Sequence, residues 1–214
     1  MPGAASPAEQ IVIYGASSGS HLTLTTENGR LIVNGLMAHR HPQNCRMSAN
    51  RLHAVCSLRK SSRIELRMGN SGDLVEIADP MPLSVTAYLG GGSDKMIGNA
   101  ESDVCYPQGH RRNRCIGGAG RDICITGEKN SDCVGDAGND YCQTGDGSDG
   151  CWGGPGNDVC RMGPGEDGCH GEAGNDRLYG GANPDQLYGG PGWDYCNGGP
   201  GRGKSHNCDE GPGH

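Results

Sequence analysis

Seven cysteines, Cys115, Cys124, Cys133, Cys142, Cys151, Cys160 and Cys169, stand nine residues apart without a break, and Leu178, Leu187 and Cys196 hold the next three places in the same phase. Two residues before most of these positions stands an aspartate: Asp122, Asp140, Asp149, Asp158, Asp167, Asp176, Asp185 and Asp194. Glycines lead into each copy. A fixed period held over ten copies requires one short structural unit repeated along an axis, each unit too small to bury its own apolar face and so stacked on its neighbours. A flexible Gly/Asp-rich linker would keep no such phase.

The repeat also explains an otherwise awkward composition. With 33% hydrophobic residues, no Phe and 40 Gly in 214 residues, one ordinary core of this size is hard to fill. Residues 1–116 carry nine acidic and twelve basic side chains, and residues 117–214 carry sixteen against six, so charge shifts from +3 to −10. An acidic second half favours cations as ligands and disfavours nucleic acid and anionic membranes. Twelve cysteines point to an oxidising, extracellular setting, whether secreted, cell-surface or on a virus particle. The start, MPGAASPAEQ, shows no signal-peptide pattern, and no apolar run is long enough for a membrane span.

The best copies read GGAGRDICI at Gly117–Ile125, GGPGNDVCR at Gly153–Arg161 and GGPGWDYCN at Gly189–Asn197. They match the nonapeptide G-G-x-G-x-D-x-U-x, and the segment resembles the hemolysin-type RTX calcium-binding repeats, in a cysteine-rich variant. The resemblance is strong over Gly117–Asn197 and looser back to Met68, where MGNSGDLVE, LGGGSDKMI and GNAESDVCY keep the Asp-x-apolar signature. Ser131 replaces one aspartate, Lys129 and Asn183 replace turn glycines, and Gly203 ends the series. The resemblance implies an all-β fold with a right-handed parallel β-roll, and alternating apolar and polar residues upstream add an N-terminal antiparallel β cap. Residues 1–88 form the β-rich capping or attachment region, 89–206 the roll and 207–214 a tail.

In such a roll six residues make a turn and three a strand, so eighteen residues return the chain to the same side. Two columns of turns follow. One holds Asp122, Asp140, Asp158, Asp176 and Asp194; the other holds Ser131, Asp149, Asp167, Asp185 and Gly203. Carboxylates one strand spacing apart, about 4.8 Å, repel by roughly 1 kcal/mol at water's dielectric and about 3 to 4 kcal/mol at an effective value of 20. Ca²⁺ reverses that sign, taking carboxylates together with turn carbonyls. Gly118, Gly120, Gly138, Gly154, Gly156, Gly174, Gly190 and Gly192 are the candidate carbonyl donors. An ion in each complete interval gives about six sites, with Asp103 and Asp132 as irregular contributors.

Cysteine at the inward U position departs from the family pattern, where a large aliphatic residue is usual. Consecutive pairing leaves no thiol over: Cys45–Cys56, Cys105–Cys115, Cys124–Cys133, Cys142–Cys151, Cys160–Cys169 and Cys196–Cys208. A rival scheme bonds coils along a column, Cys115–Cys133, Cys151–Cys169, Cys105–Cys124 and Cys142–Cys160. The cross-core scheme is preferred, since short side chains allow a flattened roll to bring Cα atoms within disulfide range. Free thiols and a thiolate metal array remain as alternatives.

Upstream, HLTLTTENGRLIVNG alternates around Asn28-Gly29, a strong hairpin signal. SRIELRM, LVEI and LSVTAYLGGG continue in strands toward the repeat. His39 and His41 could hold a transition metal, but a solvated loop is the ordinary reading. No HExxH or GxSxG occurs, and no catalytic domain remains once the repeat is set aside, so no enzyme is expected. The chain reads as a calcium-binding structural module for attachment, surface assembly or particle decoration, with another protein or a surface as partner. The alternative is an accessory repeat module of a secreted enzyme or toxin.

Overall fold

The computed structural model describes residues 10–16, 18–35, 37, 45–48, 50, 52–58, 62–109, 111–201 and 203–209. Strands form wherever apolar residues alternate with polar ones, as in RIELR, whose Ile64 and Leu66 are buried between exposed arginines. The first seven are β1 (Gln10–Tyr14), β2 (His21–Glu27), β3 (Arg30–Asn34), β4 (Cys45–Met47), β5 (His53–Ser57), β6 (Arg63–Arg67) and β7 (Leu74–Ile77). The next seven are β8 (Val85–Gly90), β9 (Lys95–Ile97), β10 (Val104–Pro107), β11 (Arg114–Gly120), β12 (Ile123–Ile125), β13 (Asp132–Gly138) and β14 (Tyr141–Gln143). The last are β15 (Gly150–Pro155), β16 (Val159–Arg161), β17 (Gly168–Ala173), β18 (Arg177–Tyr179), β19 (Gln186–Tyr188), β20 (Tyr195–Asn197) and β21 (Lys204–His206). Among the described residues no helix occurs, so none is long and apolar enough to cross a membrane.

The strands build two parallel sheets face to face. One runs β1-β6-β8-β10-β12-β14-β16-β18-β20; the other runs β21-β19-β17-β15-β13-β11-β9-β7-β2 and continues antiparallel through β3, β5 and β4. From β8 onward the chain changes sheet at every strand, which is a parallel β-solenoid. Register shows the eighteen-residue coil directly: Cys124 pairs with Cys142, and Cys133 with Cys151. The parallel ladder reaches back to Gln10, beyond the boundary at Leu89 drawn from the repeat, because β1 pairs with β6 and β2 with β7 in parallel.

The expected hairpin joins β2 to β3, with Asn28 and Gly29 both at positive φ (50° and 70°) as a tight two-residue turn requires. β5 and β4 follow antiparallel, with Cys45 directly opposite Cys56 and bonded to it. This extension is the antiparallel cap, and it hangs on a strand that belongs to the solenoid.

The core changes character along the axis. Ile11, Ile13, Leu22, Leu24, Leu31, Val33, Leu66 and Val75 fill the N-terminal coils with aliphatic carbon. From Cys105 the inward position is cysteine through Cys169, after which Leu178 and Leu187 face each other, all at most 5% exposed. The glycine-rich half thus folds around sulfur.

The cross-core pairing of cysteines is present, but in a different phase from the one counted off the sequence. Cys105–Cys115 and Cys196–Cys208 close as expected, whereas Cys133 bonds Cys142 and Cys151 bonds Cys160. Cys124 and Cys169 are buried thiols instead of partners of Cys133 and Cys160. The physical reason is a zigzag: each inward cysteine has one neighbour nine residues before it and one nine after. The sulfurs of Cys124, Cys133 and Cys142 all lie within 4.8 Å of one another, as do those of Cys151, Cys160 and Cys169. Counting from Cys105 selects one neighbour; packing in the fold selects the other.

Candidate metal centre

Each roll turn is built like residues 135–140, GDAGND. Gly138 has φ 149°, and a Cβ there would overlap the Gly120 carbonyl oxygen of the preceding coil, so only glycine lets the turns stack this closely. The same relation repeats at Gly156 against Gly138, Gly174 against Gly156, and Gly192 against Gly174. Gly118, Gly120, Gly154 and Gly190 are likewise at positive φ. Asp136 and Glu172 fill the turn position held elsewhere by Gly118, Gly154 and Gly190. Both adopt left-handed backbone (φ 66° and 74°), and their carbonyl oxygens sit against Gly154 and Gly190.

The turn aspartates form two continuous ladders. On the first side the backbone N–H of Val85 donates to Asp103 Oδ1, and Asp103, Asp122, Asp140, Asp158 and Asp176 each donate to Oδ1 of the next aspartate, ending at Asp194, over 2.6–2.9 Å. The Asp194 N–H donates to Asp209 Oδ2 at 2.8 Å. On the second side the donors Ser131, Asp149 and Asp167 meet Oδ1 of Asp149, Asp167 and Asp185 at 2.7, 2.8 and 3.1 Å. One oxygen of each carboxyl thus satisfies a backbone donor of the coil before it.

The other oxygen has no partner. Oδ2 of Asp122, Asp140, Asp149, Asp158, Asp167, Asp176, Asp185 and Asp194 is buried without a hydrogen bond, on side chains of residues at most 6% exposed. A buried unpaired carboxylate oxygen is costly unless a proton or a cation meets it. Burial pushes Asp122, Asp158 and Asp167 up to about 7, with neighbouring carboxylates adding to the rise, and Asp149 and Asp176 up to about 6. Asp140 and Asp185 are also raised by burial. Stacked carboxyls, one free oxygen each, beside turn carbonyls make an all-oxygen donor set of the kind that suits a hard divalent cation.

The sequence located both aspartate columns. Asp103 joins the first column, but Asp132 does not enter the second: it lies on β13, where the Arg112 guanidinium reaches both its oxygens at 3.1 and 2.9 Å. That contact gives the basic cluster around Arg112 a counter-charge within the protein. Asp209, Asp136 and Glu172 escaped notice because they fall off the Asp-x-apolar signature. Burial raises the thiols of Cys124 and Cys169, so neither is an activated nucleophile. His39 and His41 lie outside the described residues.

No curated protein and no solved structure gives a significant match to the chain. A family model does: the RTX calcium-binding nonapeptide repeat matches in four copies, over residues 134–160 and 170–203. Those two segments supply turns to both aspartate ladders, so the part of the solenoid that is similar to this repeat is the part that carries the stacked turn carboxyls.

Proposed function

We propose that the protein is a calcium-stabilised structural module, a solenoid whose stiffness depends on ions held along its two turn columns. The observation that carries this reading is the row of buried Oδ2 atoms without partners. Asp122, Asp140, Asp158, Asp176 and Asp194 would hold ions on one side, and Asp149, Asp167 and Asp185 on the other. Carbonyl oxygens of the stacked turns would complete the shell. Four intervals on the first side and two on the second correspond to about six ions. When bound, calcium supplies positive charge that lets these carboxyls ionise inside the stack.

Disulfides across the core fit an extracellular setting, where calcium is also plentiful. We infer a role in attachment, surface assembly or particle decoration, with a protein or surface as partner. The outer faces support it: Trp152, His170, Tyr188 and His206 stack in one line with centroids 6.2, 4.7 and 4.9 Å apart, a rigid strip suited to contact.

The test is circular dichroism and thermal melting of the full chain as calcium is added and then chelated. Calcium should raise the melting temperature in one cooperative step, and chelation should reverse it. An unchanged melting curve would overturn the reading.

A further inference from the structure

The unbroken nine-residue phase begins only at Cys115, and the family match only at residue 134. The aspartate ladder does not begin there. The N–H of Ser20 donates to Asp73 Oδ1 at 2.6 Å, the N–H of Asp73 donates to Asp94 Oδ1 at 2.9 Å, and the N–H of Asp94 donates to Asn113 Oδ1 at 2.9 Å. These spacings of 21 and 19 residues break the sequence period, yet the fold restores the column. Longer connections take up the difference elsewhere in the coil.

Asp73 and Asp94 are each 3% exposed, and Oδ2 of each is buried without a partner. Their turns are packed as in the roll. A Cβ at Gly90 (φ 70°) would overlap the Gly69 carbonyl oxygen, and one at Gly92 (φ 134°) would lie 2.6 Å from the Ser71 carbonyl oxygen. Burial lifts Asp94 to about 6 and raises Asp73.

The column then changes chemistry. At Asn113 the buried atom without a partner is Nδ2, a donor that repels a cation, and the next turn carries Ser131. Acid returns only at Asp149. Two neutral residues therefore separate Asp73 and Asp94 from the acidic run below.

We propose that Asp73 and Asp94, with carbonyl oxygens of turns 68–73 and 89–94, form a separate site for a hard divalent cation, calcium in an extracellular setting. It rests on the reading of the roll columns as calcium sites, and it lies outside the matched repeats. Asp73 leads into β7 and Asp94 into β9, while Ser20 leads into β2, from which the antiparallel extension hangs. An ion there ties the extension to the solenoid, separately from the ions that order the roll.

Native mass spectrometry of the full chain in calcium counts the ions, and hydrogen exchange reads protection at Leu74–Ile77. Asp94→Asn should lose one ion and the calcium-dependent protection of that strand, while the calcium-induced melting shift of the roll persists. Asp158→Asn should lose ions and keep protection at Leu74–Ile77. Asn113→Asp supplies the missing acid and should gain an ion, a result that a misfolded variant cannot imitate. If Asp94→Asn binds as many ions as the unsubstituted protein, or Asn113→Asp gains none, the proposal is overturned. If the unsubstituted protein binds none at all, the reading of the roll fails instead.

Discussion

Protons and calcium should compete for the same buried oxygens, and the competition has a calculable size. Burial raises Asp149 to about 6 and Asp167 to about 7, and both face one interval of the second column. An ion entering that interval must displace whatever protons the two carboxyls hold. At pH 7 they are protonated little and by half, which weakens apparent affinity by about twofold; at pH 5 the factor is about 1,000. Apparent calcium affinity should thus fall by roughly 500-fold from pH 7 to pH 5.

The ion-free protein should show the opposite sign. Asp122, Asp149, Asp158, Asp167 and Asp176 hold protons more tightly when folded than when unfolded, so between about pH 4 and pH 7 its stability falls as pH rises. Calcium titrations in chelator-buffered solution at pH 5, 6 and 7, followed by circular dichroism, check the first statement; melting in chelator across the same range checks the second. Midpoints that moved by less than tenfold between pH 7 and pH 5 would refute the argument that these oxygens are the ligands.

Two further perturbations separate the turn stack from the sulfur core. Gly174→Ala places a Cβ against the Gly156 carbonyl oxygen at φ 138°, and should destabilise the calcium-loaded protein by about 2 kcal/mol or more in denaturant melts. A variant as stable as the parent would mean that the turns are not packed as described. Peptide mapping without reduction should recover Cys133–Cys142 and Cys151–Cys160 and two thiols that alkylate only after unfolding, and Cys151→Ala should cost about 2 to 3 kcal/mol against less for Cys124→Ala, which breaks no disulfide.

The Asp-x-Cys period was legible because a solenoid writes its geometry into the sequence: every coil presents the same inward place and the same turn carboxyl. Asp122 through Asp194 could be assigned to two columns by phase alone, and the ladders confirm that assignment. Asn28-Gly29 was equally plain, since a two-residue turn needs two positive φ angles. Asp73 and Asp94 were visible as weak copies, yet their place in the column was hidden, because insertions of a few residues erase a period without unstacking the turns they precede.

By itself the sequence determined that this chain must coil with an eighteen-residue repeat, cover a cysteine-lined interior and gather acid along its turns. Only the tertiary structure decided which of two neighbours each sulfur joins, where the acidic column is interrupted, and how far the parallel ladder extends toward the N-terminus. The difference is one of range. A repeat fixes what lies at a constant offset along the chain, whereas choosing between two contacts at the same offset, or aligning coils of unequal length, depends on packing that no local pattern records.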